Sequence, residues 1–177
     1  MDFHQNYFEL FGLPVTFDLD GNALTERYRD LQKVFHPDRF ASASDQERRL
    51  SLQQAAQINS AYDTLRDPLA RARYLLTLQG LEYNDESSTI SDMEFLEEQM
   101  ELRERLADIR HENDPATVLH DFMAQLDVRN IEYVAVLRGL FATSETVDVM
   151  QAKNMVQRMQ FIRRLQEEAG ALEEELM

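Results

Sequence analysis

The sequence predicts an all-α protein in two parts, and three observations carry that expectation. Apolar residues recur at helical spacing along nearly the whole chain, and strand-like alternation of apolar and polar residues is essentially absent. Charge is also divided unevenly. The 177 residues carry 18 basic and 33 acidic side chains, a net of −15. Residues 1–80 hold nine basic and eleven acidic (9 − 11 = −2), whereas residues 81–177 hold nine and twenty-two (9 − 22 = −13). Between them, Gly80 to Thr89 has no helical period and ends in small polar residues. A glycine after an amphipathic run stops a helix, and serine-rich stretches are loops. The expected division is a domain over 1–80, a linker over 81–90 and a three-helix bundle over 91–177.

In the first part, Tyr7 to Leu13 reads as a short apolar helix or turn. Leu24, Tyr28, Leu31 and Phe35 step by four, three and four, which is one stripe of a helix. Pro37 ends it, because a residue before proline is pushed out of the α region. Ser44 followed by Glu47 is a capping box, and Ala55, Ile58, Tyr62 and Leu65 form the next stripe. Asp67-Pro68, a cap followed by proline at the first helical position, opens a helix to about Gln79.

The acidic part is equally helical. Ser91 and Glu94 form a second capping box ahead of Phe95, Leu102, Leu106 and Ile109. Asp114-Pro115 opens a helix carrying Leu119, Phe122, Leu126, Tyr133, Leu137 and Leu140. Thr143 or Ser144 is the expected cap of the last helix, where Met155, Met159, Ile162, Leu165, Ala169, Leu172 and Leu176 run near a heptad. That near-heptad fits an intramolecular bundle and a self-associating coiled coil equally well, so weak self-association stays open.

Several classes of function are disfavoured. A chain without cysteine has no disulfide framework, thiolate nucleophile or Cys-ligated metal. The acidic balance argues against nucleic acid as a partner, since phosphate affinity comes from clustered Lys and Arg. No basic, apolar leader opens the sequence, and no apolar run approaches the roughly 18 residues of a membrane span. The expectation is a soluble, cytoplasmic protein. His4, His36, His111 and His120 lack metal-ligand spacing, and five glycines form no phosphate loop, so no metal, nucleotide or other cofactor is expected. His36 with Asp38 has no accompanying nucleophile or oxyanion device, which makes an enzyme the weaker reading.

The informative stretch is Arg27 to Phe40. His36, Pro37 and Asp38 fall between two helices, where proline stiffens the loop and aspartate can bond nearby backbone. From average composition, the tripeptide arises by chance in about one chain in a hundred of this length. Arg29 and Lys33 are four apart and so share a helix face, with Arg27 on the same helix and Arg39 just past the loop. A basic helix kept in an acidic protein points to an acidic partner surface.

With those residues in view, the sequence resembles the J-domain co-chaperones, whose signature is His-Pro-Asp between antiparallel helices behind a basic helix. Tyr7 to Pro14, His36 to Phe40, Gln57 to Leu65 and, after the linker, Phe95 to Glu104 make it similar to the HscB-type co-chaperones of iron–sulfur cluster biogenesis. The resemblance implies a J domain that docks on a DnaK-class (HscA-type) chaperone and stimulates its ATPase. It also implies a C-terminal bundle that presents the IscU-type scaffold. On this chain the chaperone-binding residues would be His36, Pro37, Asp38, Arg27, Arg29, Lys33 and Arg39. No Gly/Phe-rich stretch follows residue 80, unlike general folding co-chaperones, and the missing cysteines exclude the zinc module of eukaryotic relatives. A J-domain adaptor for another client and a purely structural helical protein are the competing readings.

The first bundle helix carries more apolar residues than one stripe needs. Met93, Leu96 and Met100 lie off the Phe95 stripe, and Phe161 lies off the stripe of the last helix. A broad core contact accounts for them equally well. The functional alternative is an exposed apolar patch rimmed by Glu97, Glu101 and Glu104, suited to a protein partner. The resemblance puts the scaffold surface on this same helix, which assigns Leu96, Glu97, Met100, Glu101, Glu104 and Phe161 as scaffold-binding residues. By the same resemblance, Glu97 stands where many relatives carry an apolar residue beside the leucine of the scaffold face.

Overall fold

The computed structural model describes residues 5–36, 40, 43–81, 93–142 and 148–176. They form seven α-helices: α1 (Tyr7–Leu10), α2 (Gly21–Phe35), α3 (Asp45–Arg66), α4 (Pro68–Leu78), α5 (Met93–Asp108), α6 (Pro115–Ala142) and α7 (Val149–Leu176), with a 3-10 turn at Ile109–His111. The chain divides into two compact units, Met1–Gln79 and Gly80–Met177.

In the first unit, each helix starts where a side chain can take up free amide groups. Asn6 and Glu9 form a reciprocal capping box at α1. Asp20 accepts from Asn22 and Ala23 at α2, and Ser44 with Glu47 forms the expected box at α3. Asp67 closes α3 and caps α4, accepting from Leu69 at 2.9 Å just before Pro68. Arg71 satisfies the end of α3, donating from Nη1 to the Leu65 carbonyl at 2.8 Å with its guanidinium over the Phe17 ring. Gly12 leaves α1 at φ +62°, a conformation a Cβ disfavours.

α2 and α3 form an antiparallel pair, with α1 and α4 packed on α3. The core lies at one end of that pair, around Phe8, Phe17, Leu24, Ile58, Leu65 and Leu76. Of the expected α2 stripe only Leu24 is buried, and Tyr28, Leu31 and Phe35 are half-buried. Towards the loop, the pair is held by a seam of rings and polar groups instead. Tyr28 stacks on Tyr62 with centroids 4.0 Å apart, and Asn59 Oδ1 accepts from the Tyr28 hydroxyl at 3.1 Å and from Gln32.

The second unit is an up-down-up bundle. Its core joins Phe95, Leu102, Leu106 and Ile109 to Leu119, Phe122 and Leu126 of α6 and to Phe161, Ile162, Leu165, Ala169 and Leu172 of α7. The Glu98 carboxylate spans all three helices, accepting from Arg129 at 2.7 Å and Arg158 at 3.1 Å. Arg158 also lies 4.4 Å over the Phe95 ring.

Two expectations for α7 need correction. The helix begins at Val149, with Asp148 accepting from Gln151 at 3.0 Å, so Asp148 is the cap. Thr143 and Ser144 lie outside the described residues, as does Ser91 at the entry to α5. The buried face runs through Ala152, Val156 and Met159 rather than Met155, and it widens to take in Phe161. A helix that packs against two neighbours needs a broader apolar arc than a two-stranded seam does. Of the near-heptad, Met159, Ile162, Leu165, Ala169 and Leu172 are buried in the bundle, whereas Met155 is half-buried and Leu176 is 39% exposed.

Candidate protein-binding surfaces

On α2, the helical period separates the cations that the sequence places together. Arg29 and Lys33 are 40° apart around the axis and share an exposed face, whereas Arg27 is about 160° from Arg29. Arg27 instead lines a groove of about 450 Å³ with Asp30, Leu31, Val34 and the α1 turn from Glu9 to Gly12. Val34, 52% exposed, was not marked by the sequence pattern. It lies next to the half-buried stripe, on the side of the helix that lines the groove. The α2 face is also less purely cationic than its arginines suggest. Lys33 pairs with Asp30 at 3.0 Å, both well exposed, and the helix carries three cations against Glu26 and Asp30. Such a surface pair is worth little and is easily exchanged for a partner's carboxylate.

His36 is the C-cap of α2, exposed and in extended geometry at φ −61°, ψ 128°. That turn out of the helix at the residue before proline is the conformation the ring of Pro37 enforces. Pro37, Asp38 and Arg39 lie outside the described residues. Beyond them, Ser44 restarts the chain as α3 with its capping box, and Glu47 is held below its ordinary value of 4.5 by the bonds from the Ser44 hydroxyl and amide.

On α5, the two stripes separate cleanly. Phe95, Leu102 and Leu106 are buried, and the stripe of Met93, Leu96 and Met100 stays in solvent at 69%, 38% and 63% exposure. Glu97, Glu101 and Glu104 are all exposed beside it. Phe161 is a correction: it is 6% exposed, edge-on to Phe95 at 5.8 Å and covered by Arg103. An aromatic ring at the α5–α7 contact gains more by closing on Phe95 than by remaining in water. Phe161 therefore underlies the α5 surface and is not part of its exposed patch. Sequence reasoning also missed the Glu98 clamp. Its only signal is a carboxylate three residues after Phe95, on the flank of the core stripe that turns to α6.

Burial near the clamp holds the Tyr133 hydroxyl above its ordinary value, with Glu98 adding to the effect and Arg158 opposing it. Among the described residues no group of three or more His, Asp or Glu could hold a metal ion, and no helix is long and apolar enough to cross a membrane.

A helical hairpin with the sequence His36-Pro37-Asp38 between its two helices, in one chain with an acidic three-helix bundle, defines a J-domain co-chaperone, and comparison with known proteins agrees. The DnaJ domain profile matches residues 6–74, and the HSCB C-terminal oligomerisation domain profile matches residues 91–170. The chain is 48% identical over 172 residues to the Co-chaperone protein HscB homolog of Vibrio cholerae serotype O1, covering 97% of this chain and 99% of that one. It is 42% identical over 171 residues to the homolog of Shewanella halifaxensis, covering 97% and 98%. The solved chaperone HscB from Vibrio cholerae superposes with a TM-score of 0.86 at 46% identity, covering 98% of this chain and all of that one. The human co-chaperone protein HscB superposes at 0.87 with 29% identity, covering 97% and 83%. The chain belongs to the HscB co-chaperone family.

Proposed function

We propose that this protein docks the α2 face and the His36–Arg39 corner on a DnaK-class chaperone of the HscA type and stimulates its ATPase. In the same cycle the α5 surface presents the IscU-type iron–sulfur scaffold to that chaperone. The observation that carries the reading is the exposed Arg29–Lys33 pair on the turns that lead into His36, in a chain of the HscB family. No chemistry is required of the co-chaperone. It acts by binding one nucleotide state of the chaperone more tightly than the other, and the chaperone's state must in turn alter its affinity.

Arg29, Lys33 and Arg39 supply charge to an acidic surface, and Arg27 with Val34 supplies a mixed contact along the groove beside α1. His36, Pro37 and Asp38 contact the chaperone between the two helices. On the bundle, Leu96 and Met100 are the apolar contacts, Glu97, Glu101 and Glu104 form their rim, and Phe161 supports them from beneath. The description of the C-terminal family names oligomerisation, and we extend to this chain a weak self-association.

Single-turnover ATPase assays of an HscA-type chaperone, with this protein and an IscU-type scaffold added singly and together, test the reading. His36→Gln is expected to abolish stimulation, and Arg29→Glu with Lys33→Glu to weaken it in a salt-dependent way. Leu96→Ala with Met100→Ala should weaken scaffold binding in calorimetry and leave stimulation without scaffold unchanged. An inert wild-type protein would refute the co-chaperone reading, and unchanged scaffold affinity would remove α5 as the presenting surface.

A further inference from the structure

The face of α6 turned away from the bundle core carries Ala124, Val128, Ile131 and Ala135, all exposed, with Val128 at 55% and Ile131 at 68%. They step by four, three and four, a heptad-like stripe separate from the buried one. Asp121 and Arg138 continue it by three residues at either end. The pattern is palindromic: Asp121 with Arg138, Ala124 with Ala135, and Val128 with Ile131 are all centred between Arg129 and Asn130.

We propose that this stripe is the self-association surface of the protein, on which α6 of a second copy packs antiparallel across a two-fold axis. The inference rests on the weak self-association in the proposed function and supplies its surface. A two-fold contact must be self-complementary, each residue meeting its counterpart twice. The antiparallel arrangement sets Asp121 beside the partner's Arg138 at both ends, alanine against alanine inside them, and Val128 against Ile131 at the centre. A parallel arrangement would set Asp121 against its own copy. The paired alanines let the two backbones approach closely. A groove of about 460 Å³ lined by Ala124, Gln125, Val128, Arg129 and Glu132 runs beside the stripe and gives a β-branched side chain a seat. The net charge of −15 opposes association, and a single helix face falls short of the roughly 1,000 Å² of a stable interface. The dimer is therefore weak and forms at high concentration.

Cysteine cross-linking in the full chain, which has none of its own, tests the geometry. Ala124→Cys and Ala135→Cys are made separately, and their mixture is expected to form a disulfide-linked dimer on oxidation. Neither variant should do so alone, because like positions are offset by about 16 Å along the axis. In sedimentation equilibrium, Ile131→Glu is expected to weaken association about tenfold or more without changing helicity or thermal unfolding. Asp121→Arg should weaken it, and adding Arg138→Asp should restore it. Association unaltered by Ile131→Glu, or each cysteine variant linking to itself, would overturn this surface and leave self-association standing. A wild-type chain monomeric at millimolar concentration would overturn both.

Discussion

α2 and α5 are nearly equal in length, 15 and 16 residues, and each carries a proposed docking surface, yet they are anchored in different ways. α2 buries only Leu24, and towards the loop it is held by the Tyr28–Tyr62 stack and the bonds on Asn59. α5 buries Phe95, Leu102 and Leu106 and is locked from the side by Glu98. The polar seam fixes how α2 lies on α3 while leaving most of its circumference to solvent, which fits the charge-based docking proposed for it. The apolar base of α5 fixes a short stripe of Leu96 and Met100 in place, which suits a surface that works by shape. One helix is thus specified by what it exposes and the other by what it packs on.

Phe161→Ala should test that contrast most severely. Removing a buried aromatic ring costs about 3–5 kcal/mol, and the loss would fall on the bundle alone. Hydrogen exchange read by mass spectrometry should show faster exchange in α5, α6 and α7 and no change in α1–α4. Equal loss of protection in both units would mean that they do not unfold separately.

The same residue marks how far the sequence can be read. The corner at His36 and the caps at Ser44, Asp67 and Asp114 are local, each written in consecutive residues, and periodicity finds them. Where α7 starts is also local, but Asp148 competes with Thr143 and Ser144 as a cap, and composition does not rank them. The fate of Phe161 depends on where α5 lies, and so does the Glu98 clamp, which joins positions 98, 129 and 158. The division of Arg27 from Arg29 and Lys33 was implicit in the 100° step of the helix. Its consequence, a groove against the α1 turn, required knowing which side of α2 meets α1.

Glu98→Ala should come next in effect. It takes from Arg158 and Arg129, whose side chains are 16% and 35% exposed, the carboxylate they share, and removal of a charged acceptor from partly buried donors costs about 2 kcal/mol. Chemical denaturation should show this loss in the bundle transition. If the variant is as stable as the parent, the clamp is a surface ion pair and α5 is held by its apolar face alone.

On the α2–α3 side, Ser44→Ala should cost about 1 kcal/mol by removing the α3 cap. Its pH dependence has a definite sign. Bonds from Ser44 lower the Glu47 carboxyl from 4.5, so that contribution is present above 4.5 and is lost as pH falls through the lowered value. In Ser44→Ala the Glu47 carboxyl should return upward in an NMR titration, and the acid-side loss assigned to it should vanish. An unmoved Glu47 titration would detach it from the cap.

The smallest effects come from one substitution made in each unit, and they should have opposite signs. Gly12 sits at φ +62°, where an L-residue is strained, so Gly12→Ala should destabilise the first unit by about 1 kcal/mol even though a Cβ there meets nothing within 4 Å. Gly170 lies inside α7 with no such backbone demand and equally open space, so Gly170→Ala should stabilise the bundle by about 0.8 kcal/mol through helix propensity. Thermal unfolding of the two variants against the parent reads both signs. Space is equal at the two sites, so a difference in sign isolates the backbone conformation. Two stabilising shifts would mean that the turn after α1 relaxes to accept a side chain, and that the left-handed residue there does not fix how α1 meets α3.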